Sequence, residues 1–122
     1  MQWIKTLVAL FCLILLIIWS EVAWGHTFPD HSEPGVGTII NSSPTCVRIW
    51  FDSPLEPVFS TIRVQNVMGE QVDKGNGHVS PSDATLLEVG LPPLPPGTYR
   101  VIWSVAARDG HRTEGDYTFT IK

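Results

Sequence analysis

The chain has 122 residues with a formal net charge of −4, from 8 Lys and Arg against 12 Asp and Glu. So few basic residues supply no patch of the kind that a nucleic-acid backbone requires, which excludes nucleic-acid binding. A chain of this length has room for one domain with one hydrophobic core.

Residues 1–25 have the pattern of a secretory signal peptide. Lys5 stands before an apolar run from Leu7 to Trp19, and this order is typical of export signals. Ala23 and Gly25 place small side chains at positions −3 and −1 of a cut before His26. We therefore expect an exported, periplasmic protein whose mature domain comprises residues 26–122, without a membrane span after cleavage.

Two other fates of this amino-terminal segment stay open. The apolar run is short for a membrane span, but an uncleaved anchor is one alternative. A cut after Ala23 is the other, although it would place the charged Glu21 at position −3. The distinction matters because only a chain that begins at His26 gives that residue a free amine.

After the signal, apolar residues recur at every second position, which is typical of half-buried strands. The pattern predicts about seven strands, and the sequence between them is rich in Pro, Gly, Asn and Asp, which favour turns. Ten prolines leave no window for a long amphipathic helix. The predicted fold is an all-β, immunoglobulin-like Greek-key sandwich or barrel. The predicted strands are 38–40, 45–52, 58–67, 70–73, 84–90, 98–107 and 115–121.

Two further features refine this prediction. The segment from Leu94 to Tyr99 resembles the approach to a tyrosine corner. Trp50 is expected on the face opposite the core, together with Arg48 and Cys46. Since Cys12 lies in the signal, Cys46 is the lone mature cysteine and no intramolecular disulfide is expected.

His26 is the most informative of the four histidines. As the first residue of a mature chain, it would offer both its amine and its imidazole Nδ1 to one metal ion. An unperturbed α-amine has a pKa of about 8, so a divalent metal can displace its proton near neutral pH. A third nitrogen would complete the T-shaped arrangement called a histidine brace.

The third nitrogen is expected from His111, in the segment from Arg108 to His111 that follows a predicted strand. Side chains two positions apart in extended backbone point the same way, so Asp109 and His111 are expected to address one metal. Asp109 is either an oxygen donor or an orienting partner. Three nitrogens and a weak oxygen suit Cu(II), with zinc as the competitor. The alternative interpretation of Asp109 and Gly110 is an ordinary turn.

The other histidines are expected in solvated loops. His78 has no assigned role, whereas His31 is close enough to His26 in sequence to act as an outer group or a replacement ligand. A soft Cu(I) site is not expected, since Met68 is the sole mature methionine. The carboxylates, hydroxyls and glycines form no catalytic motif, so no enzyme is predicted.

The mature chain resembles the CopC copper-resistance family along nearly its whole length. The matching positions are His26, Pro34, Gly37, the segment 47–55, Leu94, Gly97, Tyr99, Val101, Trp103, Val105, the segment 109–111, Gly115 and Phe119. The resemblance implies one Cu(II) per chain, with His26, Asp109 and His111 as metal ligands. It also implies work beside a CopD-like membrane copper transporter, and a weaker steadying role for Asp52.

Two departures from the family pattern stand out. Thr27 takes the place of the usual alanine, which we expect to change little. The methionine-rich segment that supplies a Cu(I) site in some members is missing, which puts transfer between two copper sites in doubt.

The leading hypothesis is therefore an exported Cu(II)-binding protein for copper resistance or homeostasis, which sequesters copper or delivers it to a membrane transporter. An enzyme remains the first alternative, because histidine braces also occur in copper monooxygenases. A metal-free immunoglobulin-like interaction module is the second, with Asp109 and His111 as plain turn residues.

Overall fold

The computed structural model describes Lys5 and residues 27–122. The rest of the predicted signal peptide and His26 lie outside the described residues. Within the described part, no helix is long and apolar enough to cross a membrane. The strands are β1 Pro29–Glu33, β2 Ile39–Ile40, β3 Cys46–Phe51, β4 Thr61–Gln65, β5 His78–Val79, β6 Leu86–Gly90, β7 Gly97–Ala106 and β8 Arg112–Ile121.

The strands form two four-stranded sheets. The first sheet has the order β1-β3-β6-β5 and the second has the order β2-β8-β7-β4. All strand pairs are antiparallel except β2 with β8, which are parallel. Neighbours in each sheet are mostly distant in the chain, as in a Greek key. The predicted all-β sandwich is confirmed.

Alternating side chains of both sheets build the core. In β3, Val47, Ile49 and Phe51 are buried, whereas Cys46, Arg48 and Trp50 lie on the outer face, as predicted. In β7 the inward positions are Tyr99, Val101, Trp103 and Val105. Complete burial of such a side chain contributes roughly 1.5–3 kcal/mol relative to exposure.

The Trp103 ring packs directly on the backbone of Gly115, its partner across the β7–β8 ladder. A Cβ atom at Gly115 would lie 2.5 Å from Cζ2 of Trp103. The ring also meets Phe51 of the other sheet edge-on, with ring centroids 5.2 Å apart. Because Gly115 has no side chain, the Trp103 ring can occupy this space.

The predicted tyrosine corner is present. The hydroxyl of Tyr99 donates a hydrogen bond to the carbonyl of Pro95, four residues earlier. This bond holds the start of β7 against the loop that leads into it.

Several predicted boundaries were wrong. Strand β1 was not predicted, because this edge strand is largely exposed and lacks apolar alternation. The predicted strand at 70–73 is only an isolated bridge between Gln65 and Gln71. The predicted strand at 58–67 shortens to β4, preceded by a 3-10 turn at Pro57–Phe59, and Val67 is 82% exposed.

Candidate metal centre

A five-residue loop, residues 107–111, joins the long hairpin strands β7 and β8. The amide of Ala107 donates to the carbonyl of His111 at 2.9 Å, and the amide of Gly110 donates to the carbonyl of Ala107 at 3.0 Å. Gly110 has φ +91°, a backbone conformation that residues with a Cβ rarely adopt. The loop thus fixes His111 at the start of β8, at one end of the sandwich.

Asp109 contacts His111 through both carboxylate oxygens. Its Oδ1 accepts the backbone N–H of His111 at 3.0 Å, and its Oδ2 lies 3.0 Å from Nδ1 of the His111 ring. The interaction with the ring, followed by the backbone N–H, holds the pKa of Asp109 below its ordinary value of 3.8. The carboxylate is therefore ionised at neutral pH and fixes the orientation of the imidazole.

The structure thus brings Asp109 and His111 together, but not in the expected way. We expected them two apart on extended backbone, whereas Asp109 lies in a turn and its side chain contacts the residue two positions later. Such Asx turns are a usual conformation of aspartate before glycine. In this geometry Nδ1 of His111 faces Asp109, which leaves Nε2 as the ring nitrogen directed elsewhere.

The segment that follows His26 is anchored at the same end of the fold. Thr27 is 1% exposed, and its Oγ1 lies 2.6 Å from Oγ of Ser53. Next to it, the amide of Phe28 donates to Oδ1 of Asp52 at 3.0 Å, while the amide of Asp52 donates to the carbonyl of Phe28 at 3.0 Å. Asp52 therefore steadies this segment rather than the Asp109–His111 pair directly.

A second anchor comes from the other sheet. Thr113 of β8 donates from Oγ1 to the carbonyl of Thr27 at 2.7 Å. Thr113 follows His111 by two residues in the chain. Thr27 is consequently tethered to the strand that begins directly after His111.

No role was predicted from the sequence for Ser53 or Thr113, and Thr27 was expected to matter little. The buried hydroxyl of Thr27 instead makes a contact that alanine cannot make. The signal for Ser53 and Thr113 is weak in sequence, because isolated hydroxyl residues are common in turns and strands.

The described residues include no group of three or more His, Cys, Asp or Glu side chains that lie close enough together to hold a metal ion. The Asp109–His111 pair supplies two such side chains, and His26 lies outside the described part. The soft side chains are remote from the pair: Cys46 begins β3 at the opposite end of the sandwich, where it pairs with Gly90, and Met68 follows the far end of β4.

The other two histidines have partners elsewhere. The His31 ring stacks on Trp50 with centroids 4.4 Å apart, and its Nδ1 lies 3.1 Å from Oδ2 of Asp30. His78 contacts Glu88 through Nε2 at 3.1 Å. Both lie on strands rather than in the predicted loops, but both are substantially exposed to solvent, as expected.

Comparisons with known proteins agree with this architecture. The model of the CopC domain family matches residues 30–122. Protein YobA of Escherichia coli (strain K12) is 31% identical over 100 residues, covering 81% of each chain. The copper transport protein CutJ of Bacillus subtilis (strain 168) is 30% identical over 110 residues, which cover 89% of this chain but only 20% of CutJ.

Solved structures give the same result. CopC from Methylosinus trichosporium OB3b superposes with a TM-score of 0.70 at 30% identity, covering 80% of this chain and 94% of that one. PcoC, a methionine-rich copper resistance protein from Escherichia coli, has a TM-score of 0.67 at 28% identity, with coverages of 80% and 100%. The family match, the sandwich and the solved relatives agree, and the chain belongs to the CopC domain family.

Proposed function

We propose that this protein binds one Cu(II) ion per chain outside the cytoplasm, and that it serves copper resistance or homeostasis by sequestering the ion or delivering it to a membrane copper transporter. Membership of the CopC family and the copper-related names of its relatives support a role in copper handling. The oxidation state, the stoichiometry and the fate of the copper are parts of the proposal.

The proposed ligands are the amine and imidazole of His26 together with the imidazole of His111, which binds through Nε2. The observation that carries this assignment is the anchoring of Thr27 to Thr113. Because consecutive Cα atoms lie about 3.8 Å apart, His26 cannot move far from an anchored Thr27. This limited reach supports His26 as the partner of His111 in the proposed site.

Asp109 has the role of orienting His111. A carboxylate on one imidazole nitrogen fixes the tautomer, so that the other nitrogen presents its lone pair, and it raises the basicity of the ring. The same arrangement recurs around many metal-binding histidines. Whether Asp109 also donates an oxygen to the copper depends on a rotation that would release one of its contacts with His111.

This donor set fits Cu(II) better than softer or harder ions. Imidazole and amine nitrogens in a near-planar set with a weak oxygen suit Cu(II), which also stands highest in the divalent affinity order. Cu(I) prefers thiolate and thioether ligands, and Cys46 and Met68 lie away from the site. Zinc is the competitor to be tested, because it accepts the same nitrogens.

We propose a binding role rather than catalysis. The chain corresponds to about a fifth of the length of the copper transport protein CutJ. A CopC-like unit within a longer copper transport protein is consistent with a role in supplying copper to a transporter. The proposal for this chain does not include the transport activity of full-length CutJ.

Cu(II) titration in competition with a chelator of known affinity tests the proposal. We expect one tight site in the exported wild-type protein and a loss of affinity of at least tenfold for His111→Gln. His78→Gln is the matched control, because His78 is an exposed histidine on a different strand. Equal affinities for wild type and His111→Gln would contradict the assigned site.

A further inference from the structure

Thr27 and Phe28, the two residues after His26, are held by several hydrogen bonds to both halves of the sandwich. Thr27 is fully buried, although it stands only three residues before the solvent-exposed Asp30. Its side chain reaches Ser53, in the bend that follows β3 of the first sheet, and its carbonyl accepts from Thr113 in β8 of the second sheet. The segment is therefore held by both halves of the sandwich at once.

These contacts differ in what they fix. The amide of Asp52 donates to the carbonyl of Phe28 next to the β1–β3 ladder, and the Asp52 carboxylate accepts the amide of Phe28. Together these two bonds set the direction in which the chain runs. The bond from Thr113 fixes the peptide group that follows Thr27, within two residues of His111 along β8. The Thr27–Ser53 contact holds the side chain of Thr27 against the bend that follows β3.

We propose that Thr113, Thr27 and Ser53 form a hydroxyl clamp that positions His26 relative to His111 and thereby sets the affinity for Cu(II). This inference rests on the proposed function. The three residues are positioning residues, because they act through the backbone next to His26 rather than on the metal.

The physical reason is preorganisation. A terminal amine belongs to the most mobile part of most domains, and fixing its backbone on metal binding opposes the binding free energy through lost conformational entropy. The clamp orders the adjacent residue in advance. Removal of partners that orient metal ligands typically weakens metal affinity by about 10–100-fold.

The test compares Thr113→Val with Thr113→Ser in the full, exported protein whose mass shows that it begins at His26. Valine keeps the branched shape of threonine but cannot donate to the Thr27 carbonyl, whereas serine retains the hydroxyl. The matched control is Thr98→Val. This variant removes a hydroxyl contact of 3.1 Å between Thr98 of β7 and Thr120 of β8, at the end of these strands away from the loop.

Three quantities are measured for each protein: the Cu(II) dissociation constant, the melting temperature without metal and the electron paramagnetic resonance spectrum of the copper complex. We expect Thr113→Val to raise the dissociation constant by about tenfold or more and to alter the nitrogen hyperfine pattern. Thr113→Ser should restore both, and Thr98→Val should change neither. Ser53→Ala should weaken binding in the same direction as Thr113→Val.

A lower melting temperature with an unchanged dissociation constant would show a purely structural role and overturn the clamp. An equally large loss of affinity in Thr98→Val would overturn it as well. A variant with one extra residue before His26 has no free amine on His26. In that variant, Thr113→Val should not weaken Cu(II) binding further. If Thr113→Val weakened Cu(II) binding there as much as in the wild type, positioning of the amine would be contradicted. If the wild-type protein itself bound no Cu(II), the proposed function would fail first.

Discussion

The hydroxyl of Thr113 donates a 2.7 Å hydrogen bond to the carbonyl of Thr27. This bond joins the segment just after His26 to the strand that starts beside His111. Because the two residues are 86 positions apart in the chain, folding is required to bring them together. A metal site that combines the amino-terminal region with the β7–β8 loop therefore depends on the native structure.

Replacement of Asp109 by asparagine should weaken Cu(II) binding by about 10–100-fold without unfolding the protein. Asparagine can still accept the amide of His111, but it lacks the charge that favours the donor form of the ring. Asp83→Asn is a matched control, since Asp83 makes a similar turn with Thr85 and also has a lowered pKa. Chelator competition measures both variants, and similar affinities for the two would contradict the orienting role of Asp109.

Cu(II) affinity should fall steeply on acidification from about pH 8 to pH 5. The proposed amine and imidazole ligands have ordinary pKa values of about 8 and 6.5, and each must be unprotonated to bind. The pKa of Asp109 lies below 3.8, so the carboxylate stays ionised throughout this range and does not contribute to the fall. Dissociation constants measured at several pH values would contradict nitrogen ligation if they were constant.

Much of the fold follows from the sequence, because strands with one buried face carry a period-two pattern. That pattern identified β3, β4 and β7, and the run from Leu94 to Tyr99 correctly indicated the tyrosine corner. The edge strand β1 has no buried face and therefore no such pattern. Its existence depends on backbone pairing with β3, which a sequence does not display.

The candidate site was predictable to a similar extent. The proximity of Asp109 and His111 follows from their spacing, although the turn that joins them was not foreseen. The contacts of Thr27 with Ser53 and Thr113 link distant segments through single hydroxyl groups, and no local pattern reveals them. The ligand role of His26 remains a prediction.

Tyr117 should make the protein less stable in strong alkali. Burial raises its pKa to about 12 from an ordinary 10.0, with the neighbouring Ser32 hydroxyl opposing the shift. The folded state thus retains the proton more tightly than the unfolded state. Its contribution is fully present below pH 10 and is lost as the pH rises from about 10 to 12, by about 3 kcal/mol in all.

Denaturant unfolding of wild type and Tyr117→Phe across this range measures the effect. Phenylalanine cannot ionise, so the difference in unfolding free energy between the two proteins isolates Tyr117 from other groups that titrate at high pH. The difference should shift in favour of the variant above pH 10. A difference that stays constant with pH would show that the hydroxyl is not held in its neutral form by burial.

Gly115→Ala should destabilise the domain by about 1–3 kcal/mol, because the new methyl group overlaps the Trp103 ring. The ring has to move within a packed core to relieve this overlap. Thr118→Ala, an outward position on the same strand, is the control and should have a smaller effect. Thermal unfolding distinguishes the two, and equal melting temperatures would contradict the close packing of Trp103 on Gly115.

Native mass spectrometry of the exported protein, with and without one equivalent of Cu(II), tests the central claim most directly. The account predicts a chain that begins at His26 and gains a single copper ion, while the same chain with one extra residue before His26 holds copper much more weakly. A chain that retains residues before His26, or one that binds copper equally well with its amine blocked, would contradict the proposed site.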